Sequence, residues 1–193
     1  MTNANPDVLS QMTAAEFLDW DGAGHIGKLE LVEGQVRAMS PASATHSLIQ
    51  ANLAILIGTH LRATGRPCRV GTEAPVVPRI HANDNVRAPD LAVTCLPPSA
   101  DKRFPDPVLI VEVLSPSNQR ETWESIRACA SIPTLQEILV VDSERVHAEV
   151  LRNDPVTGWP VSGAIIEAGG TIHLASIDAS FPLGEVYAGT HLA

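Results

Sequence analysis

Two acids in apolar surroundings, Asp90 and Glu112, carry the strongest chemical signal in the chain. Glu112 interrupts the run of β-branched residues and Leu at 108–114, and Asp90 follows Pro89 in a second apolar run at 86–95. Such runs, bounded by Pro, read as strands buried on both faces. A carboxylate there must be neutralised, paired or metal-bound, because an isolated buried charge is very costly. Adjacent strands would bring the two carboxylates into one small volume, where like charges repel unless a cation or a shared proton lies between them. A hard divalent cation, Mg²⁺ or Mn²⁺, is the natural oxygen-seeking partner, and the backbone carbonyl of Val113 would add a ligand. The alternative is structural: Asp90 capping a turn after Pro89, and Glu112 paired to an arginine. Spacing alone leaves both open.

Glu30 and His46 form a second candidate set. Glu30 lies between Leu29 and Leu31 and so occupies the opposite face of a strand from them. His46 falls in the first turn of the helix that follows. Together they would complete a metal shell or hold an attacking water; separately they are a structural acid and an ordinary histidine. Ser115 and Ser117, in SPSN, lack a G-x-S-x-G elbow and read as a turn and helix cap. His60, His147 and His173 show no paired spacing. The three cysteines, Cys68, Cys95 and Cys129, are odd in number and without metal-finger spacing, which predicts buried thiols in a reducing cytoplasm.

The elements that must position these groups follow from the pattern. A chain of 193 residues, 45% hydrophobic, supports one sizeable core, filled by aliphatic side chains because aromatics make up 4%. No run approaches the roughly 18 apolar residues of a membrane span, and no leader pattern opens the chain. Residues 1–12 read as a polar tail and 13–193 as a single domain. Thr13 and Glu16 form a capping box for a short helix. Residues 28–39 predict a hairpin turning at Glu33-Gly34, and 43–64 a helix closed by Gly65. Strands are expected over 69–77, 86–95 and 108–114, a helix over 121–130, a hairpin over 135–152, a last strand at 171–175 and a helix from 183. This is an α/β domain with a mixed sheet. Regular strand–helix alternation and a Gly-rich loop, which a doubly wound nucleotide fold requires, are absent. The net charge of −9 argues mildly against a surface built for nonspecific nucleic-acid binding.

The fragments ELVEGQVRAMSP, His46 in the next helix, RAPDLAV, VEVLSPSN and IPTLQEILVVD, with YAGTHL near the end, resemble the Uma family of putative restriction endonucleases. That family is assigned to the PD-(D/E)XK nuclease superfamily. The resemblance spans about residues 13–152 and implies a restriction-endonuclease-like fold, a mixed β-sheet flanked by helices. It also implies Mg²⁺-dependent hydrolysis of phosphodiesters. By position, Pro89-Asp90 matches the PD element, Glu112 the second acid, and Glu30 and His46 the family's early acid and helix histidine. DNA and a second copy of the chain are the candidate partners.

One element departs from that pattern. The lysine expected two residues after the second acid is Leu114, and the position on the next helix where such families supply one is Ile126. The only lysines are Lys28 and Lys102, so Arg127 is the candidate replacement, with Arg120 nearby. Arginine stabilises charge but is a poor proton acceptor. The expectation is therefore a metal-dependent endonuclease of weakened catalysis, with a catalytically silent partner-binding scaffold as the alternative.

Overall fold

The computed structural model describes residues 11–25 and 27–193. The expected tail over 1–12 falls mostly outside them; Met12 is described, its N–H donating to the Gly34 carbonyl. The first helix, α1 (Ala14–Asp19), carries the complete capping box, with the Thr13 side chain accepting from Glu16 N–H and the Glu16 carboxylate reaching back. The hairpin β1 (Leu29–Val32) and β2 (Gln35–Ala38) turns through Glu33 and Gly34, both at positive φ. That geometry suits a two-residue turn of primed type. The helix α2 (Ala44–Ala63) is capped by Ser43 and ends before Gly65 at φ +63°.

The central sheet has six strands: β3 (Arg69–Thr72), β4 (Leu91–Thr94), β5 (Pro107–Leu114), β6 (Glu137–Asp142), β7 (His147–Arg152) and β8 (Ala164–Glu167). Their spatial order follows their sequence order. Only β5 and β6 run parallel, and α3 (Gln119–Cys129) makes the crossover between them. The remaining neighbours are antiparallel, so the sheet is mixed as expected.

Period-2 alternation divides the central strands between two cores. Val111 and Val113 of β5 pack with Leu139 and Val141 against Ile49, Leu53 and Ile57 of α2. Ile110 of β5, with Ile138 and Val140, packs against Ile126 and Cys129 of α3. The result is α2, sheet, α3 in three layers. A second hairpin, β9 (Thr171–Leu174) with β10 (Ala179–Pro182), and α4 (Leu183–Val186) complete the α2 side. Tyr187 is fully buried there; its hydroxyl lies 2.6–3.0 Å from the Asp142, Arg145 and His147 carbonyls, tying the end of the chain to the β6–β7 turn.

Several expectations are corrected. The strand foreseen over 69–77 stops at Thr72, because Glu73 takes φ +49° and turns the chain away. The strand foreseen over 86–95 is also divided: Val86 bridges Leu31 and Arg87 bridges Val76, while β4 begins only after Asp90. Strands β8 and β10 were not expected; both are short, and β8 is largely exposed, so neither shows a long apolar run. Cys68 and Cys95 are not free thiols but a disulfide stapling the open ends of β3 and β4. Cys129 alone is a buried thiol. The pairing removes the ground on which cysteine usage pointed to a reducing compartment. Among the described residues no helix is long and apolar enough to cross a membrane.

Candidate active site

The register of the β4–β5 pair brings the two acids together. Leu91 pairs with Val111, so one step further sets Asp90 across from Glu112, on the face turned toward α3. Val113 N–H donates to Asp90 Oδ2 at 2.8 Å, and Asp90 N–H points at Glu112 Oε2 from 3.5 Å. Both side chains are buried, and Ser125 of α3 lies behind the pair, its hydroxyl donating to Glu112 Oε1 at 3.2 Å.

The chain does supply a lysine. Lys28, the residue before β1, donates to Asp90 Oδ1 at 3.0 Å and is itself largely buried. The expectation of no lysine near the acids is thereby overturned. Lys28 and Glu30 are two apart and share a strand face; the bridge between Leu31 and Val86 draws that face over the acid pair. The same alternation that singled out Glu30 was the signal for Lys28, but only the docking of β1 beside residue 86 shows where it lands.

His46, in the first turn of α2, places Nε2 3.4 Å from Asp90 Oδ1 and Nδ1 3.1 Å from Ser115 Oγ. One turn on, Gln50 donates to the Asp90 carbonyl at 3.0 Å. Glu30 is also buried, but its carboxylate is taken by the Arg87 guanidinium at 3.2 Å and the Ala88 N–H at 3.0 Å. Arginine pairing in this site therefore falls to Glu30 and not to Glu112.

Arg127 lies elsewhere. It is exposed and lines a separate cavity with Arg37 and Arg87. Helix geometry explains the displacement: with Ser125 turned to Glu112, a residue two positions on lies roughly 200° around the axis. Arg120 is paired with Glu124.

The electrostatics follow from burial and proximity. Burial alone would lower the Lys28 pKa, but the charges of Glu112 and Asp90 raise it above the ordinary lysine value. Burial works against the Asp90 carboxylate too, yet the His46 bond and the Lys28 charge hold it below the ordinary aspartate value. Glu112 goes the other way: full burial first, then the Asp90 charge, push it up to about 8. Of the two acids, Glu112 is thus the one pushed toward its protonated form, because two buried carboxylates this close disfavour each other's charge.

Asp90, Lys28 and His46 open onto a cleft of about 550 Å³, walled by Ser40, Ser115, Ser117, Asn118 and Ser143. Asp90 and Glu112 are the carboxylates that could share a divalent cation. Although His46 also touches Asp90, no group of three or more His, Cys, Asp or Glu side chains among the described residues is arranged to hold a metal ion.

Comparisons with known proteins agree with this architecture. Residues 14–174 match the family model Uma2, described as "Putative restriction endonuclease". The chain is 30% identical over 184 residues to the uncharacterized protein slr1290 of Synechocystis, with 93% of each chain covered. Its fold superposes on a crystal structure from Anabaena variabilis, titled a putative nuclease belonging to DUF820. The TM-score is 0.71 at 18% identity, covering 92% of this chain and 98% of that one. The resemblance in the sequence, the buried acid pair in its mixed sheet and the match over most of the length converge: this chain belongs to the Uma2 family of putative restriction endonucleases.

Proposed function

We propose that the chain is a divalent-metal-dependent phosphodiesterase of the PD-(D/E)XK type, acting on nucleic acid. The observation that carries this reading is the grouping of Asp90, Glu112 and Lys28, with Lys28 Nζ 3.0 Å from Asp90. Two acids and a lysine are the parts such a site needs, although the lysine arrives from the first hairpin and not from the strand of Glu112.

The residues fit Mg²⁺ or Mn²⁺. Mg²⁺ is commonly held by one or two carboxylates with waters filling the remaining positions. The repulsion that raises Glu112 is the interaction a divalent cation relieves. Asp90 and Glu112 would hold the ion, with the Val113 carbonyl as the candidate third oxygen. When bound, such an ion polarises a phosphoryl oxygen and acidifies water. Lys28 keeps Asp90 ionised and carries positive charge to the floor of the cleft, where charge develops on a phosphoryl group. His46, between Asp90 and Ser115, orients the Asp90 carboxylate and can accept or return a proton at the cleft wall.

The alternative, a silent scaffold, draws on one observation: both Asp90 oxygens already have partners within the protein. A combined experiment separates the two. Saturating Mn²⁺ is expected to raise the melting temperature of the wild type but not of Asp90→Ala. Metal-dependent oligonucleotide cleavage is expected to disappear in Asp90→Asn and to fall by about 10²–10³ in Lys28→Met, as when one preorganised cationic or hydrogen-bonding stabiliser is lost. No Mn²⁺ shift and no cleavage in the wild type would establish the silent scaffold instead.

A further inference from the structure

The cleft and the distribution of charge around it narrow the class of substrate. Duplex DNA carries a phosphate charge for roughly every 1.7 Å of helix axis, and proteins that grip it set several free lysines and arginines along its backbone. All thirteen basic residues of this chain lie within the described part. Only Arg62, Arg79 and Arg127 among them lack a carboxylate or carbonyl partner there. None of those three lines the cleft.

The arginines after α2 do not reach the site either. Arg62 is sixteen residues beyond His46, roughly 24 Å along the helix. Arg66 is paired with Asp178, and Arg69 is held by the Leu96 and Pro97 carbonyls. The cleft therefore offers one ammonium, Lys28, and the His46 imidazole to an anion, while the exposed acids Glu73 and Glu144 also line it.

What the cleft has in quantity is neutral hydrogen-bonding capacity: the hydroxyls of Ser40, Ser115, Ser117 and Ser143, and the Asn118 amide. The buried Oδ1 of Asn118 accepts no hydrogen bond within the described residues. A cleft of about 550 Å³ lies within the roughly 300–1,000 Å³ range of small-ligand sites. Resting on the phosphodiesterase reading above, we propose that the cleft takes a compact phosphodiester of dinucleotide size, presented as a free dinucleotide or as the end of a single strand, and not a run of duplex. A single phosphate meets Lys28, while sugar hydroxyls and base edges meet the serines and Asn118.

The test is equilibrium binding in Mn²⁺ buffer across a salt series, using phosphorothioate-linked probes: a thymidine dinucleotide, a single-stranded oligonucleotide and a duplex. The dinucleotide should bind with a shallow salt dependence, because it carries one phosphate and no condensed counterion atmosphere to release. The duplex should bind no more tightly. Asn118→Leu, which fills the wall without touching Lys28 or the acids, should weaken dinucleotide binding roughly ten-fold, the size of one pocket contact, at unchanged melting temperature. A single strand matching the dinucleotide identifies strand ends as a source; weaker binding by the strand identifies the free dinucleotide. A duplex that binds roughly ten-fold tighter with a steep salt slope overturns the inference while leaving the phosphodiesterase reading intact, and so does binding by none of the probes. If the dinucleotide binds as expected but its oxygen-linked form is not cleaved in Mn²⁺, the ligand class stands and the phosphodiesterase reading falls.

Discussion

Lys28 Nζ lies 3.0 Å from Asp90 Oδ1, across 62 residues of sequence and beneath the surface of the protein. The pair is desolvated, so it is not a surface ion pair worth a few tenths of a kcal/mol. Removing one partner of a buried pair leaves an uncompensated charge, which typically costs about 3–5 kcal/mol. Lys28→Met is therefore expected to destabilise the cation-free protein strongly, and Lys28→Met with Asp90→Asn to recover much of the loss. Urea unfolding of the two variants checks this; equal stability of the double and single variants would show that the pair is not coupled.

Glu112 makes stability depend on pH in a direction opposite to that of most carboxylates. Its folded pKa of about 8 lies above the ordinary value of 4.5, so the folded state binds the extra proton. The stabilisation is complete below about pH 4.5 and is lost as pH rises toward 8. Glu112→Gln, which mimics the protonated acid, is expected to flatten this decline and to be more stable than the wild type above pH 8. Saturating Mn²⁺ should reverse the wild-type slope, because the cation favours the ionised pair. Melting curves from pH 5 to 9 decide it; a Gln variant with the wild-type slope would show that Glu112 is ionised throughout.

Arg87 and Arg127 line the same cavity yet should respond differently to truncation. Arg87 is buried against Glu30, so Arg87→Met strands that carboxylate and should cost roughly 3–5 kcal/mol. Arg127 is exposed and makes no ion pair within the described residues, so Arg127→Ala should stay within about 0.5 kcal/mol. Metal-dependent cleavage should be unaltered in Arg127→Ala. A large kinetic loss there would restore it as a catalytic group and contradict its position on the outer face of α3.

The Cys68–Cys95 disulfide closes a loop with a sequence separation of 27. Chain-entropy arguments put its contribution at about 3–4 kcal/mol. The oxidised protein should titrate with a single thiol, Cys129, and only after unfolding, since burial raises that thiol's pKa. Cys68→Ser or Cys95→Ser should lower the denaturant midpoint. Three reactive thiols in the non-reduced, unfolded protein would show that the bridge does not form.

Local pattern was enough for much of this molecule. Thr13 and Glu16 announced a capping box, Glu33-Gly34 a hairpin turn, and Ser43 with Gly65 the bounds of α2, because each of these is decided by residues a few positions apart. The buried character of Asp90 and Glu112 was equally legible, since a lone acid in an apolar strand has few environments open to it. What remained hidden depends on contacts distant in sequence. Lys28 joins the acids only because the first hairpin docks through Leu31 onto Val86, and Arg127 leaves them only because α3 turns Ser125 inward. Cys68 meets Cys95 because β3 and β4 are antiparallel neighbours. Residue types and their periods thus determined the elements and the need for a counter-charge, while the packing of those elements decided that Lys28 supplies it.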